Sequence, residues 1–322
     1  MIEDLVSIIV PCYNHEKYIQ YCLDSIISQT YQNIELLICD DNSTDNSYEI
    51  ICKNKDRLEK RFKRLLIIKN EINLGVCKTL NKLIKMSKGK YIKTIASDDM
   101  LKKNCIADYV AFIQHDDCDI IFGNLFIVGK ETVYPVLNEE KLETFYKKTP
   151  IIDSNLTSQL CYGNFISGAS QFFKKDTFNS FGLYDEKFCL EDWEYCLRVS
   201  ITGKIKYLDK VTVYYRKMEG TLSHYADDEK SIRRHRTFYY DKLSILKKYY
   251  TYSTKQSRAA FFSSEIKEAI VLNDKKLIEE ILQEVNNGFG LNYSSAIRLF
   301  FYRLGIYQHL RTVKNMFRHR KR

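Results

Sequence analysis

Several features that define common protein classes are scarce or missing in this sequence. Its 322 residues include 3 prolines and 12 glycines, so few flexible linkers are expected. No apolar run reaches the roughly 18 residues that a membrane-spanning helix needs. The ten cysteines occur singly without a Cys-x-x-Cys pair, and the opening MIEDLVSIIVP has neither a basic region nor a cleavage site. Together these absences predict a cytoplasmic protein with free thiols.

Glycine-rich phosphate-binding loops are missing as well. No GxGxxG follows the first apolar run, and no GxxxxGK followed by Ser or Thr occurs in the chain. These absences disfavour a dinucleotide-binding dehydrogenase, a P-loop enzyme and a sugar nucleotidyltransferase. The formal net charge of +9 instead favours an anionic partner, such as nucleotide phosphates, an acidic membrane surface or nucleic acid.

Short apolar runs alternate with helical patterns in the first part of the chain. The runs occupy residues 6–10, 35–41, 64–70, 91–99 and 119–124, and the helical patterns occupy residues 17–29, 46–60 and 75–87. Because continuous apolar runs suit strands buried on both faces, this alternation predicts a mostly parallel α/β sheet with flanking helices. Later strands are predicted within 204–217, and the chain becomes helical and basic from about 227. We therefore expect two domains, 1–225 and 226–322.

Polar residues follow three of the predicted strands. PCYNHE follows the first, residues 40–43 follow the second, and Asp98 and Asp99 end the fourth. Ligands of open α/β sheets bind outside the carboxyl ends of the strands, so a binding site is expected at this edge. The two adjacent carboxylates fit either an exposed turn or a site for Mg²⁺ or Mn²⁺, which would cancel their mutual repulsion.

The order and spacing of these motifs resemble a family-2 glycosyltransferase of the GT-A fold, over roughly residues 5–224. The opening VSIIVPCYNHEKYIQYCLDSIISQTYQNIELLICDDNSTDNS matches the family's Pro-x-Tyr-Asn and Asp-Asp-Asn-Ser segments. NLG at 73–75, SDD at 97–99, FISGAS and FGLYDEKFCLEDWEYCLRV match its later segments in the same order.

The resemblance implies a nucleotide and metal site at the strand ends. The implied nucleotide-binding residues are Pro11, Tyr13, Asn14, Asp41, Asn73 and Asp98. Tyr13 would stack on the base and Asp41 would hydrogen-bond it. Asp99 would ligate Mn²⁺ or Mg²⁺, with Asp98 beside it. His224 is a further candidate ligand, because Met218 stands where the family commonly has a histidine.

The resemblance also implies how the reaction proceeds. Asp192 would act as the general base that removes a proton from the acceptor hydroxyl, with Glu191 beside it. Gly168 and Trp193 would lie on the acceptor side. The implied activity is inverting transfer from a nucleotide-diphosphate sugar, with a UDP-sugar favoured. The implied acceptor is a saccharide or lipid-linked saccharide in surface polysaccharide biosynthesis.

These residues also have plain structural interpretations. Asp41 would cap the helix predicted from residue 46, and Asp192 and Glu191 would be ordinary acids in a first helical turn. Ser97 replaces the first acid of the usual metal motif, and Met218 replaces the histidine. The alternative function is therefore a catalytically degenerate member that binds a nucleotide sugar or a membrane without turnover.

The last 29 residues, 294–322, form a basic amphipathic pattern. They include the stretch SAIRLFFYRLGIYQHLRTVKNMFRHRKR. Such a helix can contact the inner face of an anionic membrane peripherally. It can equally pack on its own catalytic domain or on the second subunit of a homodimer. A nucleic-acid partner is not expected, because it would explain the basic tail but not the carboxylates.

Overall fold

The computed structural model describes residues 3–150, 152, 154–217 and 229–286. These residues form two compact units. The first contains the described residues up to 156 together with 164–217, and the second contains 157–163 together with 229–286. The predicted domain boundary at 225, the predicted ligand His224, Met218 and the basic segment 294–322 lie outside the described residues.

Nine strands within the described residues make one mixed sheet. They are β1 (Val6–Cys12), β2 (Ile34–Asp40), β3 (Arg64–Lys69), β4 (Tyr91–Thr94), β5 (Met100–Leu101), β6 (Ile120–Val128), β7 (Glu143–Thr144), β8 (Gln171–Lys174) and β9 (Ile205–Arg216). Their order is β3-β2-β1-β4-β8-β6-β9-β5, and β7 pairs with β6. The first four strands are mutually parallel, whereas β8 runs antiparallel between β4 and β6.

Eleven helices accompany the sheet among the described residues. They are α1 (Ile19–Ile27), α2 (Ser47–Lys53), α3 (Lys55–Arg61), α4 (Val76–Met86), α5 (Cys105–His115), α6 (Leu156–Leu160), α7 (Lys175–Phe181), α8 (Glu191–Ser200), α9 (Glu229–Lys248), α10 (Lys255–Val271) and α11 (Lys275–Glu284). The last three belong to the second unit. No helix of the described ranges is long and apolar enough to cross a membrane.

Three boundaries differ from the sequence prediction. The helix predicted over 46–60 is two helices, α2 and α3, which meet at Asn54. The strand predicted over 91–99 ends at Thr94, because the backbone then turns and the amide of Asp99 donates to the carbonyl of Ala96 at 3.1 Å. The two strands predicted within 204–217 are the single strand β9.

The largest core of the first unit lies between one sheet face and the helices that cover it. Apolar residues three and four apart on α1 form one stripe, Ile19, Cys22, Leu23 and Ile26, and this stripe is fully buried. The alternate residues Val6, Ile8 and Val10 of β1 lie in the same cluster. All ten cysteines are free, as the sequence predicts for a chain with scattered thiols.

Candidate active site

The loop that follows β1 is hydrogen-bonded to the loop that follows β2 and to the first residue of α2. The amide of Asn14 donates to the hydroxyl of Ser43 at 3.0 Å, and the amide of His15 donates to the hydroxyl of Ser47 at 2.8 Å. Asn14 has a φ of 54°, a left-handed conformation that asparagine tolerates better than most residues. Tyr13 beside it is 45% exposed, so its ring is available for stacking.

Asp41 connects the end of β2 to the beginning of α4. Its Oδ1 accepts from Asn70 Nδ2 at 2.7 Å and from the amide of Leu74 at 2.9 Å. Its Oδ2 accepts from the amide of Gly75 at 2.8 Å, and Asn73 Oδ1 also accepts from that amide at 3.1 Å. Asp41 therefore fixes the start of α4, not of the earlier helix for which the sequence suggested a cap. Because Oδ2 accepts only one of these hydrogen bonds and has a second lone pair, a contact with a nucleotide base stays open as a prediction.

Asp98 and Asp99 lie in the turn between β4 and β5. Asp99 is 2% exposed, and its Oδ1 accepts from the backbone amide of Arg216 at 2.8 Å. Burial and the neighbouring charge of Asp98 raise the pKa of Asp99 well above its usual range. His15 Nδ1 lies 2.7 Å from Ser97 Oγ and 3.9 Å from Asp98 Oδ1, so the loop after β1 reaches this turn.

Arg216, at the end of β9, is a buried cation beside the two carboxylates. Its Nε donates to the carbonyl of Asp98 at 2.8 Å, and its Nη1 donates to the carbonyls of Gly129 and Lys130 at 2.9 and 3.0 Å. Its guanidinium carbon lies 4.8 Å from the ring centre of Tyr18. Arg216 thus fixes the turn that carries the carboxylates and contributes positive charge to it.

This turn fits a divalent cation that is only partly ligated by protein. Asp98 and Asp99 offer hard carboxylate oxygens, and burial, together with the charge of Asp98, raises the pKa of Asp99 despite the contact with Arg216. No group of three or more His, Cys, Asp and Glu side chains within the described residues could hold a metal ion. Mg²⁺ tolerates this well, because it often binds one or two carboxylates and takes its other ligands from phosphates and water.

Asp192 lies in the first turn of α8. Its Oδ2 accepts from the amide of Gly168 and from Asn164 Nδ2, both at 3.1 Å, and its Oδ1 accepts from the amide of Trp193 at 2.7 Å. Burial is the main cause that raises the pKa of Asp192. Burial and the charge of Asp192 raise the pKa of Glu191 to about 8. A carboxylate with a raised pKa is a stronger base than a solvated one.

Gly168 approaches Asp192 so closely that no other residue fits without movement. A Cβ at Gly168 would lie 2.8 Å from Asp192 Oδ2. Trp193, the other residue predicted on the acceptor side, is 2% exposed, and its side chain is inside the fold. In this conformation it offers almost no surface to a ligand, so a direct role for it stays a prediction.

Lys93 ties the carboxylate turn to the segment that contacts Asp192. Its side chain is fully buried in β4, and its Nζ donates to the carbonyls of Thr94, Ala169 and Gln171 at 2.8, 2.5 and 3.2 Å. Burial lowers the pKa of Lys93 to about 8. The sequence motifs did not single out Lys93, although a lysine inside the apolar run YIKTIA was a visible signal.

The mixed α/β sheet with its flanking helices is a GT-A-like fold. Solved structures support the fold. TarS 1–349 of Staphylococcus aureus, in complex with UDP-GlcNAc, aligns with a TM-score of 0.56 at 21% identity over 98% of this chain and 91% of that one. The mannosyltransferase PcManGT of Pyrobaculum calidifontis, in complex with GDP-Man and Mn²⁺, aligns with a TM-score of 0.57 at 14% identity over 97% and 83%. The α/β fold expected from the sequence is confirmed.

The chain belongs to glycosyl transferase family 2, whose family model matches residues 7–175. One relative is the Escherichia coli UDP-Glc:alpha-D-GlcNAc-diphosphoundecaprenol beta-1,3-glucosyltransferase WfaP, which is 37% identical over 124 residues, or 38% of this chain and 47% of that one. The chain spans 40% and 32% of the lengths of two Streptococcus pneumoniae glycosyltransferases that it also matches. The family resemblance drawn from the motifs is confirmed.

Proposed function

We propose that this protein is an inverting glycosyltransferase of surface polysaccharide biosynthesis. It moves a sugar from a UDP-sugar to an acceptor saccharide. A phosphate group joins this saccharide to its carrier, which in the simplest case is a lipid. The observation that carries the proposal is the joint anchoring by Lys93 of the strand before Asp98 and Asp99 and of the segment that contacts Asp192. The UDP-Glc donor of WfaP and the UDP-GlcNAc bound to TarS support the donor, and the diphosphoundecaprenol-linked sugar of WfaP supports the acceptor.

The donor binds at the carboxyl ends of β1, β2 and β4 in this proposal. Tyr13 stacks on the base and Asp41 hydrogen-bonds it, while Asn14 and Asn73 shape the walls of the site, with Pro11 beside them. Asp98 and Asp99 hold Mn²⁺ or Mg²⁺. When bound, the metal supplies positive charge that stabilises the leaving diphosphate. The Mn²⁺ in the complex of PcManGT with GDP-Man supports a divalent ion of this kind.

Asp192 activates the acceptor. Its carboxylate takes the proton from an acceptor hydroxyl as the hydroxyl oxygen bonds to the anomeric carbon of the donor, and the bond from that carbon to the diphosphate breaks. Attack on the face opposite the leaving group inverts the anomeric configuration. The amide of Gly168 and the side chain of Asn164 hold the carboxylate in place at 3.1 Å each. Glu191 adjoins the base, and Trp193 supports α8 from inside.

Calorimetric titration with UDP, GDP and TDP, with and without Mn²⁺, tests the donor site. A UDP-release assay with a diphosphate-linked saccharide tests transfer. We expect Mn²⁺-dependent binding of UDP that Asp99→Ala removes. Asp192→Asn keeps this binding but lowers transfer by about 100-fold or more, because a positioned general base contributes at least that factor. Asp56→Asn, an exposed change on α3, is the matched control and leaves both unchanged.

The outcomes separate the candidate functions. The absence of nucleotide binding by the wild-type protein would overturn the donor site. Mn²⁺-dependent binding without transfer to any saccharide would instead support the catalytically degenerate alternative. Contact of residues 294–322 with the inner face of a membrane, and a homodimer, stay predictions. Vesicle sedimentation of the full chain and of a variant that ends at residue 293 tests the first.

A further inference from the structure

The segment that follows β7 is clamped in the first unit by one buried asparagine. The amide of Tyr146 donates to Asn124 Oδ1 at 3.0 Å, and Asn124 Nδ2 donates to the carbonyl of Tyr146 at 3.0 Å. Asn124 belongs to β6 and is 9% exposed. The backbone at Tyr146 is therefore held on both sides by one side chain and has a defined position.

The side chain of Tyr146 reaches the segment that contacts the proposed base. Its hydroxyl donates to the carbonyl of Phe165 at 2.5 Å and accepts from the amide of Ser167 at 3.3 Å. The next residue, Gly168, donates to Asp192. Burial raises the pKa of Tyr146, and the charge of Asp192 contributes to this shift. Tyr146 is therefore a near neighbour of the proposed acceptor site.

Two unpaired cations follow this anchor directly. Lys147 and Lys148 are exposed, and neither forms an ion pair with any described residue. Their Cα atoms lie about 4 and 7 Å from that of Tyr146 at most, because the chain cannot extend further over one and two residues. By contrast, Lys102, Lys174 and Lys210 of the same unit pair with Glu139, Asp117 and Asp108.

We propose that Lys147 and Lys148 bind the phosphate that joins the acceptor sugar to its carrier. This inference rests on the proposed function and names the chemical group that the acceptor must carry. A phosphate on the anomeric carbon is separated from the reacting hydroxyl by no more than the sugar ring. Lys147 and Lys148 directly follow Tyr146, whose hydroxyl contacts the segment that holds Asp192, so this cation pair can bind the phosphate while the acceptor hydroxyl contacts Asp192. Lysine ammonium groups bind phosphate as compact point charges.

Binding of two matched acceptors to the full chain tests this inference. One is N-acetylglucosamine linked through diphosphate to a short prenyl chain, and the other is the alkyl glycoside of the same sugar without phosphate. We expect the wild-type protein to bind the diphosphate acceptor more tightly. The double variant Lys147→Gln/Lys148→Gln weakens that binding by about tenfold or more, since hydrogen bonds to charged groups are stronger than neutral ones. Affinity for the alkyl glycoside and for UDP stays the same.

The double variant Lys60→Gln/Lys63→Gln is the matched control. Both lysines are exposed and lie near the beginning of β3, away from the carboxyl ends of the strands. An equal loss of affinity in this control, or no loss in Lys147→Gln/Lys148→Gln, would overturn the inference. The UDP-release assay reports separately on the proposed function. Selective diphosphate binding without transfer would therefore refute the transferase and leave the phosphate subsite standing.

Discussion

A single methyl group at Gly168 should disable the proposed base while leaving the donor site intact. In Gly168→Ala the new carbon would lie 2.8 Å from Asp192 Oδ2 and 3.2 and 3.3 Å from its Cβ and Cγ. Ordinary van der Waals contact begins at 3.4 Å, so the carboxylate or the segment must move by about 0.6 Å. The same movement strains the 3.1 Å hydrogen bond from the Gly168 amide.

The expected size of the effect follows from this displacement. A misplacement of about 1 Å at a reacting group can cost about 100-fold in rate, so kcat should fall by about 10- to 100-fold. Overpacking costs about 1–3 kcal/mol of folding free energy, which a domain of ordinary stability tolerates. Affinity for UDP should be unchanged, because the three atoms nearest the new carbon all belong to Asp192.

UDP release at saturating donor measures kcat, and calorimetry with UDP and Mn²⁺ measures donor binding. Asp56→Asn, the exposed change on α3, is the control. An unchanged kcat in Gly168→Ala would refute the reasoning, and so would an equal fall in the control. A parallel loss of UDP affinity would show that the whole unit is disturbed and that the base is not selectively displaced.

Two further predictions concern the buried charges near the site. The pKa of Glu191 is raised to about 8, so the folded protein binds the carboxyl proton more tightly than the unfolded chain does, and this stabilises the fold at low pH. The stabilisation is lost as the pH rises from about 4.3, the usual pKa of glutamate, through 8. The free energy of unfolding of the wild-type protein relative to that of Glu191→Gln should therefore fall over this pH range and level off above it. Urea unfolding of both proteins at a series of pH values measures this difference. A difference that does not change with pH would contradict the raised pKa. Lys93→Met leaves three carbonyls without this donor, which should lower kcat more than it lowers UDP affinity and reduce folding stability by about 1–3 kcal/mol for each carbonyl that finds no other partner. Equal effects on kcat and UDP affinity would make Lys93 a purely structural residue.

Local patterns predicted most of the first four strands correctly. The runs VSIIV and ELLIC are short and have no helical period, VSIIV is rich in β-branched residues, and both lie fully buried in strands. The predicted strand over 91–99 was too long, because a turn at Asp99 closes on the carbonyl of Ala96. Apolar composition does not distinguish a buried turn from a buried strand. Neither does it predict that β8 enters between β4 and β6, because that pairing joins residues far apart in sequence.

The candidate site shows the same division between local and distant information. Motif order identified Asp98, Asp99 and Asp192 as the acids of interest. The partners that determine their properties come from elsewhere in the chain: Arg216 for Asp99, Gly168 for Asp192, and the segment at 169–171 for Lys93. No short-range pattern contains these pairings. The structural alternative in which Asp41 caps α2 is wrong for this reason, since its contacts with Leu74 and Gly75 span more than thirty residues.

The adjacent carboxylates in TIASDDM remain the main electrostatic question in this fold. Arg216 answers it in part, because its guanidinium is fixed on the carbonyls of Asp98, Gly129 and Lys130 and its amide donates to Asp99. The pKa of Asp99 is nevertheless raised, so burial and repulsion outweigh these contacts. A turn that served only folding would gain by replacing one acid with a neutral residue. Retaining both acids at this cost is understandable if a divalent cation, bound together with the donor diphosphate, supplies the missing positive charge.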